Sequence, residues 1–435
     1  MRIREMASNA RKASILLAAS DTRLKNKALE KIALELSDNK DEIIKANKID
    51  LERSREENIS APLLKRLKFD ESKISDVISG IYSLIKLEDP VGKTLMATEL
   101  DEGLELYKVS CPIGVIGVIF ESRPDALVQI STLCLKSGNS VLLKGGSEAR
   151  TTNRILAEII SQATKEADIP EGWIQLLETR SDVNEMLKLD EYLDLIIPRG
   201  SNEFVRYIID ASRIPVLGHA DGICHCYIDK DADFDMAVKI VVDSKTQYVA
   251  VCNATETILV HEKIAQKFLP LLKDELDEKG VILTGCDKTV NIISVVDATE
   301  EDWKTEYLDY KLSIKVVKDI QEAISHINTY GSGHTDSIIT KSSEAASLFM
   351  DMIDSGNVFW NCSTRFSDGF RYGFGAEVGI STNKIHARGP VGLDGLVIYK
   401  YKLIGNGHIV EDYAGKKRTF KHNKLNRNFK IERNN

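Results

Sequence analysis

The chain has 435 residues, more than one hydrophobic core ordinarily organises, so two domains are expected. Asp and Glu (66) outnumber Lys and Arg (58), and the formal net charge of −8 argues against a nucleic-acid-binding surface. Seven cysteines scattered through apolar segments do not suggest a disulfide framework and indicate a reducing compartment. There is neither a secretory signal nor an apolar run of roughly 18 residues, so we expect a cytoplasmic protein.

The N-terminal part, to about residue 95, is predicted to be helical. Apolar residues at positions i, i+3, i+4 and i+7 mark one buried helix face, made of Leu29, Ile32, Ala33 and Leu36. The pattern changes near residue 104. Residues 104–109 alternate apolar and polar side chains, as a half-exposed strand does, and residues 114–120 form the apolar run of a buried parallel strand.

Strands and helices then alternate to residue 360. Further strands are predicted at 140–143, 173–177, 193–197, 224–228, 256–260, 281–283, 312–317, 336–339 and 357–360. Helices are predicted at 125–136, 150–167, 183–189, 234–242, 262–276, 320–327 and 343–352. This alternation predicts α/β architecture with doubly wound parallel sheets, whose ligands bind at the carboxyl ends of the strands. A strand at 396–403 has no neighbour in sequence, so it pairs elsewhere in the fold or with another subunit.

Two features limit what pattern alone can say. No G-x-G-x-x-G fingerprint follows a predicted strand, so the pattern indicates only an α/β protein, expected to be an enzyme. Residues 415–435 contain eight Lys or Arg and one Glu, which is typical of a solvated basic tail.

Longer motifs go further. Residues 111–120 and 137–144 resemble cofactor-binding strands of the aldehyde dehydrogenase superfamily, residues 246–253 its nucleophile loop, and residues 306–308 its glutamate–aromatic element. One branch, the glutamate-5-semialdehyde dehydrogenases, is similar to the chain over longer stretches, at residues 120–125, 330–336, 363–366, 375–382 and 386–393.

The resemblance implies an aldehyde-dehydrogenase-like fold with two doubly wound α/β domains and a small β oligomerisation element. The implied parts are an NADP-binding Rossmann-like domain (1–94 and 111–218), a catalytic domain (219–392), an oligomerisation arm (95–110 and 393–412) and a basic tail (413–435). The arm contains a hairpin at about 95–110, and it implies a homodimer or a tetramer built of dimers.

The implied activity is NADPH-dependent reduction of L-glutamyl 5-phosphate to L-glutamate 5-semialdehyde with release of phosphate, the second step of proline biosynthesis from glutamate. A thiolate would divide this reaction, displacing phosphate to give a thioester that hydride then reduces. Cys252 is the expected nucleophile. A donor or positive charge must assist its ionisation, and the sequence does not identify that group. A separate glutamate 5-kinase would supply the acyl phosphate and is a candidate transient partner.

The resemblance also implies the cofactor contacts. Lys144 would bind the adenosine ribose, Gly200 and Ser201 the pyrophosphate at a helix start, and Glu306 the nicotinamide ribose. Ser147 replaces a glutamate that would repel a 2′-phosphate, which favours NADPH. A one-residue shift, however, would put the neighbouring Glu148 there.

Five residues of the branch motifs are expected to contact the substrate: Ser122, Arg123, Ser363, Thr364 and Arg365. Arginine suits the phosphate and the α-carboxylate because its guanidinium binds oxygen pairs in a fork. Ser122 also stands where the wider superfamily has an oxyanion-hole asparagine, although the backbone amide of Cys252 is the safer donor. Arg388 could bind substrate or brace a turn.

Other interpretations remain open at this point. Residues 214–219 lack the glutamate with which hydrolytic members activate water, which argues against oxidation of aldehydes to acids. The chain could still oxidise another semialdehyde to an acyl phosphate or a coenzyme A ester, or be a non-enzymatic binding protein. No metal is expected, because Cys224-His225-Cys226 offers two thiols on one strand face without a partner pair.

Overall fold

The structure is a computed structural model that describes residues 2–219 and 221–430. Apolar strands form two parallel sheets and a separate antiparallel sheet, and amphipathic helices pack on the parallel sheets. The helices are α1 (Arg2–Leu17), α2 (Thr22–Asp38), α3 (Lys40–Glu56), α4 (Ala61–Leu67), α5 (Glu71–Lys86), α6 (Pro124–Lys136), α7 (Arg150–Glu166), α8 (Arg180–Met186), α9 (Asn202–Ala211), α10 (Phe234–Thr246), α11 (Glu262–Glu278), α12 (Asp287–Val290), α13 (Ile320–Tyr330), α14 (Ser343–Met352) and α15 (Val410–Ala414). The strands are β1 (Thr94–Asp101), β2 (Leu104–Pro112), β3 (Val115–Phe120), β4 (Ser140–Lys144), β5 (Ile174–Leu177), β6 (Leu195–Arg199), β7 (Cys224–Ile228), β8 (Thr255–His261), β9 (Ile282–Gly285), β10 (Val296–Asp297), β11 (Lys311–Val317), β12 (Thr335–Ile339), β13 (Asn357–Trp360), β14 (Gly379–Ser381), β15 (Gly389–Val391), β16 (Val397–Ile404) and β17 (Asn423–Lys424).

The first parallel sheet has the order β5-β4-β3-β6. Every residue of β3 and β4 is buried, because helices cover both faces, and this explains the continuous apolar runs in their sequences. The predicted apolar face of α2 is buried on this core, and Asp21 caps that helix by accepting a hydrogen bond from the Leu24 amide at 2.7 Å. The strand order reverses between β3 and β6, so a crevice is expected outside their carboxyl ends.

The second parallel sheet has the order β10-β9-β11-β8-β7-β12-β13. Its central strands β7, β8 and β12 are wholly buried, and apolar clusters pack on both faces. The α/β prediction with two parallel sheets is therefore confirmed. The domain boundaries remain predictions. No helix of the part of the chain that the structure describes is long and apolar enough to cross a membrane.

The antiparallel sheet has the order β16-β2-β1-β17 and joins distant parts of the chain. Strands β1 and β2 form the expected hairpin, and β2 pairs with β16 from Pro112 to Glu105, which gives the predicted strand at 396–403 its partner within the chain. Most of the basic tail is exposed, as predicted, but it is not detached from the fold, because β17 pairs with β1 and the Phe429 ring packs 5.4 Å from that of Tyr107. Apolar side chains among the basic residues explain this packing.

Candidate active site

Cys252 lies on the loop that precedes β8, and its side chain is partly exposed. The loop packs directly against the backbone before β7. A Cβ atom at Gly222 would lie 2.4 Å from Cys252 Cα and 2.1 Å from its carbonyl oxygen, so only glycine fits there. The Cys224 thiol donates to the same carbonyl at 3.2 Å. The backbone of the nucleophile is therefore held closely from one side.

The predicted substrate residues Ser363 and Thr364 hold this loop from the other side. The Thr364 hydroxyl is fully buried and donates to the Asn253 carbonyl at 2.7 Å. The Ser363 hydroxyl accepts from Ser244 at 3.1 Å, and Asn253 donates through its side chain to the Ser367 carbonyl at 2.7 Å. The structure thus gives Thr364 a positioning role, because a fully buried hydroxyl bonded to the backbone does not reach a ligand.

Two histidines that the sequence analysis did not single out lie beside the thiol. One ring nitrogen of His219, one of His334 and the Cys252 sulfur all lie within 4.8 Å of one another. His219 Nδ1 is 2.9 Å from the Ile380 carbonyl, so Nδ1 carries the proton and Nε2 is left to accept. His334 is fully buried, and its Nδ1 is 2.8 Å from the Thr335 hydroxyl. Its buried Nε2 has no hydrogen-bond partner among the described residues.

The positive charge at the site comes from arginines. Burial lowers the pKa of Arg199 and of Arg365, while the nearby Cys252 thiolate acts in the opposite direction on both. Arg123 lies close enough to Arg199 to lower its pKa further. Arg365 is oriented by a 3.0 Å hydrogen bond from Nε to Gln247. The structure brings the predicted Arg365 to Cys252 and adds Arg199, at the end of β6, which the sequence analysis did not single out; the predicted Arg123 lies beside Arg199.

The first sheet contributes its carboxyl ends. Lys144 ends β4, is buried, and donates to the Gly145 carbonyl. The Glu148 carboxylate turns to Ser122 and accepts from its amide at 2.6 Å and its hydroxyl at 2.7 Å. A hydroxyl has one proton to donate, so in this arrangement the Ser122 hydroxyl is engaged by Glu148, which leaves the backbone amide of Cys252 as the expected oxyanion-hole donor. The two hydrogen bonds from Ser122 also hold the Glu148 carboxylate in place.

The predicted pyrophosphate turn and Glu306 also come together. Ser201 is the N-cap residue of α9 and makes no side-chain capping bond, so the backbone N–H groups of the first turn are left for an anion. Glu306 accepts a 2.6 Å hydrogen bond from Asn202, the first residue of that helix, and burial raises the pKa of Glu306. Arg388, by contrast, pairs with Asp354 at 3.1 Å and bonds its carbonyl at 2.8 Å, as a turn brace does.

The comparisons with known proteins agree with this geometry. The model of the aldehyde dehydrogenase family matches residues 1–313. The chain belongs to the aldehyde dehydrogenase family. It is 76% identical over 431 residues to the γ-glutamyl phosphate reductase of Acetivibrio thermocellus, covering 99% of this chain and 100% of the relative. The crystal structure of the Thermotoga maritima γ-glutamyl phosphate reductase superposes with a TM-score of 0.92 at 45% identity, covering 94% of this chain and 99% of that one.

These relatives confirm the family resemblance that the motifs indicated, and the protein is an oxidoreductase of this family, grouped with the γ-glutamyl phosphate reductases.

The second sheet departs from the expectation that ligands lie at the carboxyl ends of the strands. Cys252, Gly222 and His334 all precede their strands, so this sheet presents its amino ends to the site.

Proposed function

We propose that the protein reduces L-glutamyl 5-phosphate to L-glutamate 5-semialdehyde with NADPH and releases phosphate, in proline biosynthesis. The observation that carries this proposal is the partly exposed Cys252 thiol among His219, His334 and the guanidinium groups of Arg199 and Arg365. A nucleophile surrounded by cations suits a substrate with two anionic groups. The names of the relatives at 76% and 72% identity support the same substrate.

The residues divide the reaction into two steps. His219 Nε2 takes the thiol proton, because it is the unprotonated nitrogen and His219 is less buried than His334. The thiolate attacks the acyl carbon, and phosphate leaves toward the arginines while the Cys252 amide stabilises the oxyanion. The hydride that reduces the resulting thioester comes from bound NADPH. The tetrahedral oxyanion that hydride addition produces collapses to the aldehyde and expels the thiolate, which takes back the proton from His219, while the departing phosphate takes a proton from solvent.

The preference for NADPH over NADH has support from a residue outside the sequence motifs. Arg53 Nη2 donates to the carbonyls of Ser147 at 3.0 Å and Glu148 at 3.1 Å, and to Asp50 at 2.7 Å. A partly exposed guanidinium therefore lies at the turn where the resemblance places the 2′-phosphate. Ser147 at this turn carries no charge and the Glu148 carboxylate is turned to Ser122, so a 2′-phosphate would not meet the glutamate that NAD-preferring relatives are expected to place there.

A cofactor experiment tests this preference. Replacing Arg53 by Ala should lower the NADPH-to-NADH ratio of kcat/KM at least tenfold and remove most of the extra thermal shift that NADPH gives over NADH. Arg154→Ala removes a surface arginine paired with Glu178 and is the matched control. An unchanged ratio in Arg53→Ala would contradict the assignment.

The main test runs the reaction in the oxidative direction. Purified protein with NADP⁺, glutamate semialdehyde and phosphate should form NADPH only when phosphate is present, and Cys252→Ala should abolish this. Turnover that continues without phosphate, or with coenzyme A in its place, would instead favour the competing acylating dehydrogenase. Mass spectrometry of enzyme treated with an acyl-phosphate donor should locate the acyl group on Cys252.

We further propose that the protein is a cytoplasmic homodimer, or a tetramer of dimers, joined through the sheet of β1, β2 and β16. A transient contact with a separate glutamate 5-kinase would shorten the path of the unstable acyl phosphate. Sedimentation velocity tests the oligomer. Comparing proline-precursor formation by the two purified enzymes, mixed or separated by a membrane permeable to small molecules, tests the transfer.

A further inference from the structure

The two histidines and the nucleophile form a set of donor atoms suited to a metal ion. Zinc binds cysteine sulfur at about 2.3 Å and histidine nitrogen at about 2.0 Å in a tetrahedral arrangement. Those bond lengths put neighbouring ligand atoms about 3.3 to 3.6 Å apart. The sulfur of Cys252 and one nitrogen each of His219 and His334 already lie within 4.8 Å of one another. Small side-chain rotations, of about 1 Å at the ligand atoms, would close the set.

The hydrogen bonds of the two imidazoles engage Nδ1 of each ring and leave Nε2 available to bind a metal. His219 donates from Nδ1 to the Ile380 carbonyl at 2.9 Å, which is how metal-binding histidines are commonly oriented by a backbone carbonyl. His334 lies with Nδ1 at 2.8 Å from the Thr335 hydroxyl. Its Nε2 is buried and has no partner in the described part of the chain, so it is a donor atom that the fold leaves without a bond.

We propose that Cys252, His219 and His334 bind a thiophilic divalent cation, represented by Zn²⁺, which blocks the nucleophile reversibly. On binding, the Cys252 S–H bond breaks, its proton goes to solvent, and the sulfur lone pair coordinates the metal, so no oxidant or reductant is needed. The coordinated thiolate no longer attacks an acyl carbon. Three protein ligands leave the fourth position to water.

The surrounding charges set the expected affinity. The Glu306 and Glu377 carboxylates are close enough to His219 to interact with its charge, and they attract a cation. Arg199 and Arg365 interact with Cys252 and repel it. Because these fields oppose each other, we expect the site to bind the cation more weakly than a structural zinc site does.

Cobalt provides a readout other than activity. Titrating the full-length protein with Co²⁺ should give one equivalent of a near-ultraviolet thiolate-to-cobalt charge-transfer band, and Zn²⁺ should displace it. The band should vanish in Cys252→Ser and survive in Cys286→Ser, a partly buried cysteine outside the cluster. Calorimetry should show Zn²⁺ binding at least tenfold weaker in His219→Ala and in His334→Asn. Thermal unfolding and NADPH binding verify that each variant is folded.

Unchanged Zn²⁺ affinity in both histidine variants, absence of the thiolate band, or several weak equivalents that no variant alters would overturn the proposal. If His334→Asn does not fold, His219→Ala and its rescue by His219→Cys decide the matter. The proposal stands apart from the enzymatic one: a protein that forms NADPH but no cobalt–thiolate band loses only the metal site. One that shows the band without phosphate-dependent turnover loses only the proposed activity.

Discussion

A single methyl group added at Gly222 should misplace the Cys252 thiol. The Cβ atom of alanine would lie 2.1 Å from the Cys252 carbonyl oxygen, 2.4 Å from its Cα and 2.6 Å from its carbonyl carbon. All three are backbone atoms, so no flexible side chain can move aside. Ordinary contacts between heavy atoms are about 3.5 Å, so the nucleophile loop must shift by about 1 Å.

That displacement determines the expected loss of activity. A misplacement of about 1 Å at a reacting group can cost about 100-fold in rate, and overpacking costs about 1 to 3 kcal/mol of stability. We therefore expect Gly222→Ala to lower kcat/KM of phosphate-dependent semialdehyde oxidation about 100-fold while the protein stays folded. The rate of Cys252 alkylation by iodoacetamide, followed by mass spectrometry, measures the same displacement without relying on the proposed activity.

The chain offers a matched control in Gly80 of α5, where an added Cβ meets nothing within 4 Å. Gly80→Ala should keep full activity and gain about 0.5 to 1 kcal/mol from helix propensity. If Gly222→Ala keeps kcat/KM and alkylation rate within twofold of the parent protein, the backbone contact does not position the nucleophile and the reasoning fails.

Three further predictions concern stability. Lys245 and Glu256 form a fully buried ion pair at 2.6 Å. Lys245→Met leaves the Glu256 charge unpaired, so it should lower the free energy of unfolding in urea by about 3 to 5 kcal/mol, and adding Glu256→Leu should recover much of that loss. If the double variant is as unstable as Lys245→Met, the prediction is wrong. Burial lowers the pKa of His326 from 6.5 to about 2, so the unfolded chain binds a proton that the folded protein excludes. Stability should fall by about 1.4 kcal/mol per pH unit below 6.5, and His326→Gln should flatten that slope in pH-dependent unfolding. Removing the Phe429 ring from Tyr107 with Phe429→Ala should lower Tm without changing kcat/KM; a loss of activity would indicate that the tail serves the site.

The hydrophobic pattern predicted the core of the fold because strands that are buried on both faces contain few exposed polar positions. Strands β3, β4, β7 and β8 are wholly buried; β3 and β4 show this as short apolar runs, whereas β7 and β8 also bury polar side chains such as His225 and Glu256. The tail was missed for the opposite reason. Its basic residues dominate local composition, whereas its docking depends on Leu425 and Phe429 meeting apolar residues of the hairpin, a contact that no local pattern encodes.

The candidate site was predictable only where a motif contained it. Motifs contained Cys252, the proposed nucleophile, and also Arg123 and Arg365. Arg199 ends β6, His219 lies in the segment between α9 and β7, and His334 immediately precedes β12, so their proximity to the thiol depends on topology even though a motif contains His334. The rule that ligands bind at the carboxyl ends of parallel strands also does not predict the histidines, because the second sheet presents the amino ends of its strands to the site.

The carboxyl ends of the first sheet face the amino ends of the second across the site. The proposed cofactor residues and Cys252 therefore belong to different sheets, and the contacts between the sheets set their relative position. The first sheet supplies the proposed cofactor turn and Arg199, and the second supplies Cys252. Asn202, at the start of α9, joins them by donating to Glu306 at 2.6 Å and to Asp221 at 3.0 Å. In the proposed reaction hydride would pass between groups held by different sheets, so we expect the amide of Asn202 to help fix their distance. The site therefore depends on a few polar bonds across the junction as much as on the thiol.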